Sequence, residues 1–298
     1  MSPPRRHRRF PLPAALLTLL AFMLFCRVPG LALLWQKRFM LPISRLLRRV
    51  PATFPLLEPL ALLTAVATLS QLLRFHWRSA LWLAFSVLAG YVLLWYPAYW
   101  AQPEEVYPMP AAPQLAWLCQ SLIDSLNTSP LEAPSDILPE ASAAAGLPGV
   151  IVKAARYPEW MRALHLAGLY APWTGEAIID AEAPPWLIPF TAVHELMHMD
   201  GIADEGEANI AAWRCCLDHG GAFADSARLW ALRYAMGLLG EIDPSAGDAL
   251  RDSMGRRLAD VFASIGGDGW GILSDAPALA GVTGRYEALV GWLVLTGN

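Results

Sequence analysis

The stretch TAVHELMHMDGIADEGEANIAA, residues 191–212, gathers polar chemistry in an otherwise apolar chain. His194 and His198 frame Glu195, Gly201 follows three residues later, and Asp204, Glu205, Glu207 and Asn209 come next. On a helix, residues at i and i+4 stand one turn apart on the same face, so both imidazoles can reach one metal ion while Glu195 projects beside it. Zinc held by two histidines and a carboxylate keeps one position open for water and lowers that water's pKa towards about 7. An adjacent glutamate can then take the proton and hand it to a leaving amine. The order HExxH therefore predicts a Zn2+ site with His194 and His198 as ligands and Glu195 as the general base of a peptidase.

The third ligand is a choice among three carboxylates. Gly201 suits a left-handed helix terminus, after which the chain can turn back towards the metal. The metzincin spacing would place the next ligand at Asp204. Read as a helix start, however, Asp204 is a good N-cap and Glu207, three positions on, completes a D-x-x-E box. That assigns structural work to Asp204 and Glu207 and frees Glu205, on the first turn, for the ion. Asn209, four residues later on the same face, can hydrogen-bond a ligand from behind.

Composition divides the chain. Of its 298 residues 55 % are hydrophobic and 16 % charged, more apolar than a typical soluble protein. Residues 1–100 carry 12 Lys/Arg against one acid, Glu58, whereas residues 101–298 carry 10 against 25 Asp/Glu. A basic membrane-facing part and an acidic water-facing part follow, and the acidic charge excludes nucleic acid as partner of the second half.

Three apolar runs account for the basic part. Residues 10–26, 54–73 and 80–100 are read as transmembrane helices, the last ending in the interfacial aromatic cluster WYPAYW. Residues 30–50 interleave leucines with Lys37, Arg38, Arg45, Arg48 and Arg49, as an amphipathic segment on the bilayer surface does. MSPPRRHRRF has the charge layout of a signal peptide without a small-x-small cleavage site, and reads as a retained anchor. The expected setting is a multi-pass protein of the cytoplasmic membrane, with the lipid bilayer as partner. A cytoplasmic N-terminus puts six basic residues inside against five in the first outer loop, and the acidic domain outside. Cysteines settle nothing further: Cys26 lies in a span, and adjacent Cys215 and Cys216 leave Cys119 as the other candidate partner.

Residues 101–113 form a Pro-rich linker, and residues 114–298 the water-facing domain. Helices are expected over 114–127, 222–239 and 245–264. Residues 175–180, with a β-like core at Ala177–Ile179 before a double proline, read as an edge strand on which the backbone of a peptide or protein substrate could pair. The expected fold is mainly α: three N-terminal transmembrane helices, then a mostly helical zincin-like domain with a short edge strand. Tyr286 is a candidate hydroxyl donor to the tetrahedral oxyanion. His165 and His219 read as polar surface residues.

EGEAN at 205–209 resembles the ExxAD/N element that supplies the third zinc ligand in gluzincin membrane peptidases. PFTAVHELMHMDG at 189–201, EGEAN and RYEALVGWL at 285–293 together resemble a bacterial membrane family known as domain of unknown function 3810. That family has several N-terminal spans, a PFT-x-x-HE-x-x-H-x-x-G segment, an E-x-E-A-N sequel and a C-terminal SY-x-x-V-x-x-L-like segment. It has a basic residue where Asp204 stands, and an Asn-bearing aromatic motif in place of WYPAYW. The resemblance implies a membrane-bound zinc-peptidase-like protein and names no substrate. The alternative from another class is a membrane sensor or scaffold whose zinc is structural or retained without hydrolysis; three protein ligands and a water mean catalysis, four protein ligands mean structure.

Overall fold

The computed structural model describes residues 12–49, 55–101, 106–131, 134, 137–164, 166–266 and 286–297. The N-terminal tail through Pro11, Phe54, His165 and Arg285 lie outside them, as does the side chain of Tyr286. The chain is mainly helical and divides into two compact parts: residues 1–44 with 58–103, and residues 45–57 with 104–298.

In the first part, α1 (Leu12–Cys26) carries no charge, and α2 (Pro29–Trp35) continues through a π-helical turn (Gln36–Met40) into α3 (Leu41–Leu47). The path bends by 111° between α1 and the run Pro29–Leu47, where Pro29 starts a new helix. Next come α4 (Leu57–Leu73), α5 (Trp77–Leu94) and α6 (Ala98–Ala101). Among the described residues one helix, Trp77–Ala101, is long and apolar enough to cross a membrane, or two if the bent pair forms one span; α4 is a shorter apolar helix. Leu62, Leu63, Val66, Leu69 and Leu73 of α4 stand exposed, an apolar surface of the kind soluble monomers avoid. Aromatic groups tie this part together. The Trp35 indole N–H donates to the Leu93 carbonyl at 3.0 Å, and the Arg27 guanidinium lies 5.2 Å from the Trp100 ring.

The second part opens with α7 (Ala112–Thr128) and α8 (Ile137–Ala144). A small sheet follows, made of β1 (Lys153–Ala154), β2 (Gly168–Ala171) and β3 (Glu176–Ile179), with α9 (Glu159–Ala163) between its first two strands. Strand order is β1-β3-β2, β1 parallel and β2 antiparallel to β3. The expectation of an edge strand at 175–180 is corrected here: β3 is the central strand, and the edges are β1 and β2. Its unalternating burial agrees, since every residue from Glu176 to Ile179 is covered on both faces. Gly175, at φ 68, closes the hairpin by turning its N–H back to the Ala171 carbonyl at 2.7 Å.

Glu176 is the polar exception in this strand. Its carboxylate accepts from the Lys153 ammonium at 2.7 Å and from the backbone N–H groups of Leu56 and Leu57, which belong to the same part of the chain. Burial alone would raise its pKa, but these donors hold it below the ordinary value.

The helical layer comprises α10 (Ile188–Met199), α11 (Glu205–His219), α12 (Gly221–Ile242), α13 (Pro244–Asp252), α14 (Arg256–Ser264) and α15 (Tyr286–Thr296). The single helix expected over 245–264 is two, interrupted at Ser253–Gly255, where the Gly255 N–H donates to the Asn127 side-chain oxygen at 2.9 Å. α10 is the centre of this part, buried from Pro189 to Met199 and packed by α8, α11, α12, β2 and β3.

Candidate metal centre

A helix whose first turn is buried needs partners for its free N–H groups. Pro189 removes one such donor from α10, and Phe190 N–H donates to the Ser226 hydroxyl of α12 at 3.0 Å. The Trp230 indole, also on α12, donates to the Leu187 carbonyl at 3.1 Å. These contacts fix the rotation of α10 about its axis, and with it the direction of His194 and His198.

The far end of α10 closes through Gly201, at φ 104. Ile202 N–H then reaches the Met197 carbonyl at 3.1 Å, the six-to-one bond of a glycine-terminated helix. The same turn aims the Ile202 carbonyl at His198 Nδ1, 2.7 Å away. A carbonyl only accepts, so Nδ1 carries a proton, and when the ring is neutral its lone pair is on Nε2, facing the site.

Asp204 is the N-cap of α11, with extended backbone and a side chain that accepts from Glu207 N–H at 3.1 Å. This start returns Glu205 to α10. Its carboxylate oxygen lies 3.2 Å from His194 Nε2 and 3.4 Å from His198 Nε2, and the two Nε2 atoms are 3.0 Å apart. Ligands about 2.0–2.1 Å from a tetrahedral zinc are separated by roughly 3.3 Å, so these donors fit that ion closely. Glu205, His194 and His198 form the group of His, Cys, Asp and Glu side chains, among the described residues, whose donor atoms converge in this way. Asp204 and Glu207 do not belong to it.

Electrostatics follow from that crowding. Burial would lower the His198 pKa, but the Glu205 charge and hydrogen bond outweigh it and raise it to about 9. Burial would likewise raise Glu205, yet the His198 charge and hydrogen bonds from both imidazoles hold its carboxyl well below the usual range. Glu195, outside the cluster and only 5 % exposed, is pushed up by burial, with the neighbouring imidazoles pulling the other way.

The family described as "Protein of unknown function (DUF3810)" matches this chain over residues 60–264, a span that takes in α10 and α11. The chain belongs to that family. No curated protein and no solved structure matches it.

In this DUF3810 protein the expected site residues are partly brought together. His194, His198 and Glu205 converge; Asp204 caps; Glu195 sits beside them on α10. Asn209 is fully buried on α11, but its amide makes no hydrogen bond to a ligand: both of its amide atoms, and His194 Nδ1, are buried without a partner among the described residues. The Tyr286 side chain lies outside the described residues, and so does His165. His219 is exposed, its ring edge-on to Phe223. All four cysteines of the DUF3810 protein are free.

Two contacts to Glu195 escaped the sequence reading. Tyr170 donates its backbone N–H to the Glu195 carboxylate, and Gly168, two residues earlier on β2, lies against the same side chain. The only signal for either was a glycine opening the short strand-like run GLYA, which also fits an ordinary turn.

Proposed function

We propose that this protein is a membrane-anchored, zinc-dependent metallopeptidase whose mainly helical domain is zincin-like. The observation that carries this reading is the division of labour on one helix: two histidines join Glu205 in a cluster of three donors, while Glu195 stands beside the cluster without entering it. Three donors suit an open site, as catalysis requires, rather than a closed structural one.

His194, His198 and Glu205 would hold the zinc, which when bound would supply activation of water and polarisation of the scissile carbonyl. The protein's own residues do the rest. Glu195 takes the proton of the attacking water and returns it to the leaving amine, a task suited to a buried carboxyl of raised pKa. An extended peptide adds at an edge of the small sheet, the role first expected for residues 175–180, which are its central strand. Tyr286 donates to the developing oxyanion. Asn209, whose amide has no partner among the described residues, would take up a hydrogen bond to one of the metal-holding side chains once zinc is bound.

The membrane part crosses the bilayer three times, over residues 10–26, 54–73 and 80–100, with 30–50 on the surface. Exposed leucines along α1 and α4 support this. With the N-terminus in the cytoplasm, the acidic domain faces outward.

The test is metal analysis of the purified full chain in detergent, alongside hydrolysis of a mixed peptide library. One zinc per chain with cleavage that stops on chelation is the expected result. One tightly held zinc whose removal unfolds the protein, with no peptide cleaved, would instead make it a sensor or scaffold with a structural site.

A further inference from the structure

A four-residue strand that opens on glycine gives up backbone order and side-chain packing, and the usual reason is that something else comes too close for a Cβ. At Gly168 that neighbour is Glu195. A Cβ built on Gly168 would fall 2.5 Å from Glu195 Oε1, 2.6 Å from Cγ and 2.8 Å from Cδ. Gly168 does not have the positive φ of Gly175 or Gly201, so its backbone would accept any residue. Contact with the carboxylate is the constraint that remains.

Strand register explains why the two meet. Asp180 N–H donates to the Ala167 carbonyl at 2.9 Å, which makes these residues a hydrogen-bonded pair. By the period of two, Leu169 and Ala171 turn their backbone groups to β3, while Gly168 and Tyr170 turn theirs to the outer edge. Tyr170 N–H meets the Glu195 carboxylate on that edge.

We propose that Gly168 is a positioning residue for Glu195: with the Tyr170 N–H beside it, it forms a socket on the edge of β2 that sets where the carboxylate sits relative to the metal ligands. The socket has a chemical purpose. A general base must lie within about 2.6–3.2 Å of the proton it removes. Glu195 has three rotatable side-chain bonds, and the backbone hydrogen bond that reaches its carboxylate comes from β2 rather than from α10. β2 supplies the constraint from a different element.

This rests on Glu195 being the base, so the experiment has one arm that needs no activity. In the full-length protein, Gly168→Ala, Glu195→Ala and the double variant are compared by thermal unfolding in detergent. Because the Cβ meets a side chain and not backbone, Gly168→Ala is expected to fold but to melt several degrees lower, and that loss is expected to disappear in the Glu195→Ala background. Equal losses in both backgrounds would show that Gly168 serves the sheet alone and would overturn the proposal. In the second arm, zinc affinity and hydrolysis are measured. Gly168→Ala is expected to keep zinc within about threefold and KM unchanged while kcat falls at least 100-fold, the range assigned to a positioned base. Wild-type kcat in Gly168→Ala would equally overturn it. Absence of hydrolysis in the unmodified protein would refute the peptidase reading and leave the coupling measured in the first arm to decide the socket.

Discussion

Asp204 accepts the backbone N–H of Glu207 at 3.1 Å, and this bond decides which carboxylate meets the histidines. It starts α11 at Glu205 and turns that residue, one position past the cap, to within 3.2 Å of His194. A start one residue earlier or later would rotate the helix by about 100° and present a different side chain.

The three carboxylates therefore behave differently when removed. Asp204→Ala costs about 1 kcal/mol through loss of the cap and keeps most zinc affinity, and Glu207→Ala keeps it as well. Glu205→Ala releases the metal at sub-micromolar free zinc. Competition with a chromogenic chelator reads all three side by side. Loss of metal from Asp204→Ala with retention in Glu205→Ala would return the site to the metzincin spacing.

Asn209 places two amide atoms in the interior without partners, a costly arrangement for a residue with no exposed surface. Asn209→Leu, similar in volume, should raise the melting temperature of the metal-free protein while weakening zinc binding by roughly 10–100-fold. Unchanged zinc affinity would make Asn209 a bystander.

pH acts on the metal-free protein through the His198–Glu205 pair. His198 is raised from 6.5 to about 9, so the stability from its charged form is complete below about 6.5 and is lost as pH rises through about 9. Glu205 is held below its ordinary 4.5, so its contribution is present above that value and is lost as pH falls. Metal-free protein is thus most stable between these limits, and its melting temperature falls from pH 6.5 to 9. Zinc needs the unprotonated imidazole, so zinc affinity rises over the same range. A flat affinity profile from pH 6.5 to 9 would mean that His198 is not a ligand.

The Lys153–Glu176 pair is nearly dry, with side-chain exposures of 10 % and 3 %. Glu176→Ala leaves the ammonium buried alone and the N–H groups of Leu56 and Leu57 without their acceptor, at a cost of about 3–5 kcal/mol. Chemical denaturation checks this; a cost below 1 kcal/mol would show that water replaces the carboxylate.

Some of this site is legible in residues 191–212 because its rules are local. Helical spacing pairs His194 with His198, a cap signal marks Asp204, and Gly201 marks the turn between them. What lies across the sheet is not local. Ala177–Ile179 is an unbroken apolar run, which suits an edge strand and a central one equally until its partners are known. Glu176 finds Lys153 from 23 positions away. Gly168 meets Glu195 through strand register, which no spacing along the chain encodes. The break at Gly255 depends on Asn127, on a helix 128 positions earlier in the sequence. In the first part, composition marks the apolar runs but not the 111° bend between α1 and the run that Pro29 opens.

Topology has its own test. Ile242, at the end of α12, is 53 % exposed and distant in sequence from the site, so Ile242→Cys offers an accessible thiol, while native Cys26, Cys119 and Cys216 are buried. A membrane-impermeant thiol reagent should label it in intact cells above the background of unmodified protein. Labelling only after lysis would place the domain in the cytoplasm.

The central claim, that Glu195 moves protons while His194, His198 and Glu205 hold zinc, is tested most directly by Glu195→Gln, assayed together for metal content and peptide hydrolysis. Zinc near one per chain with hydrolysis abolished is the result expected of a base that is not a ligand. Loss of the zinc, or hydrolysis at the unmodified rate, would contradict it.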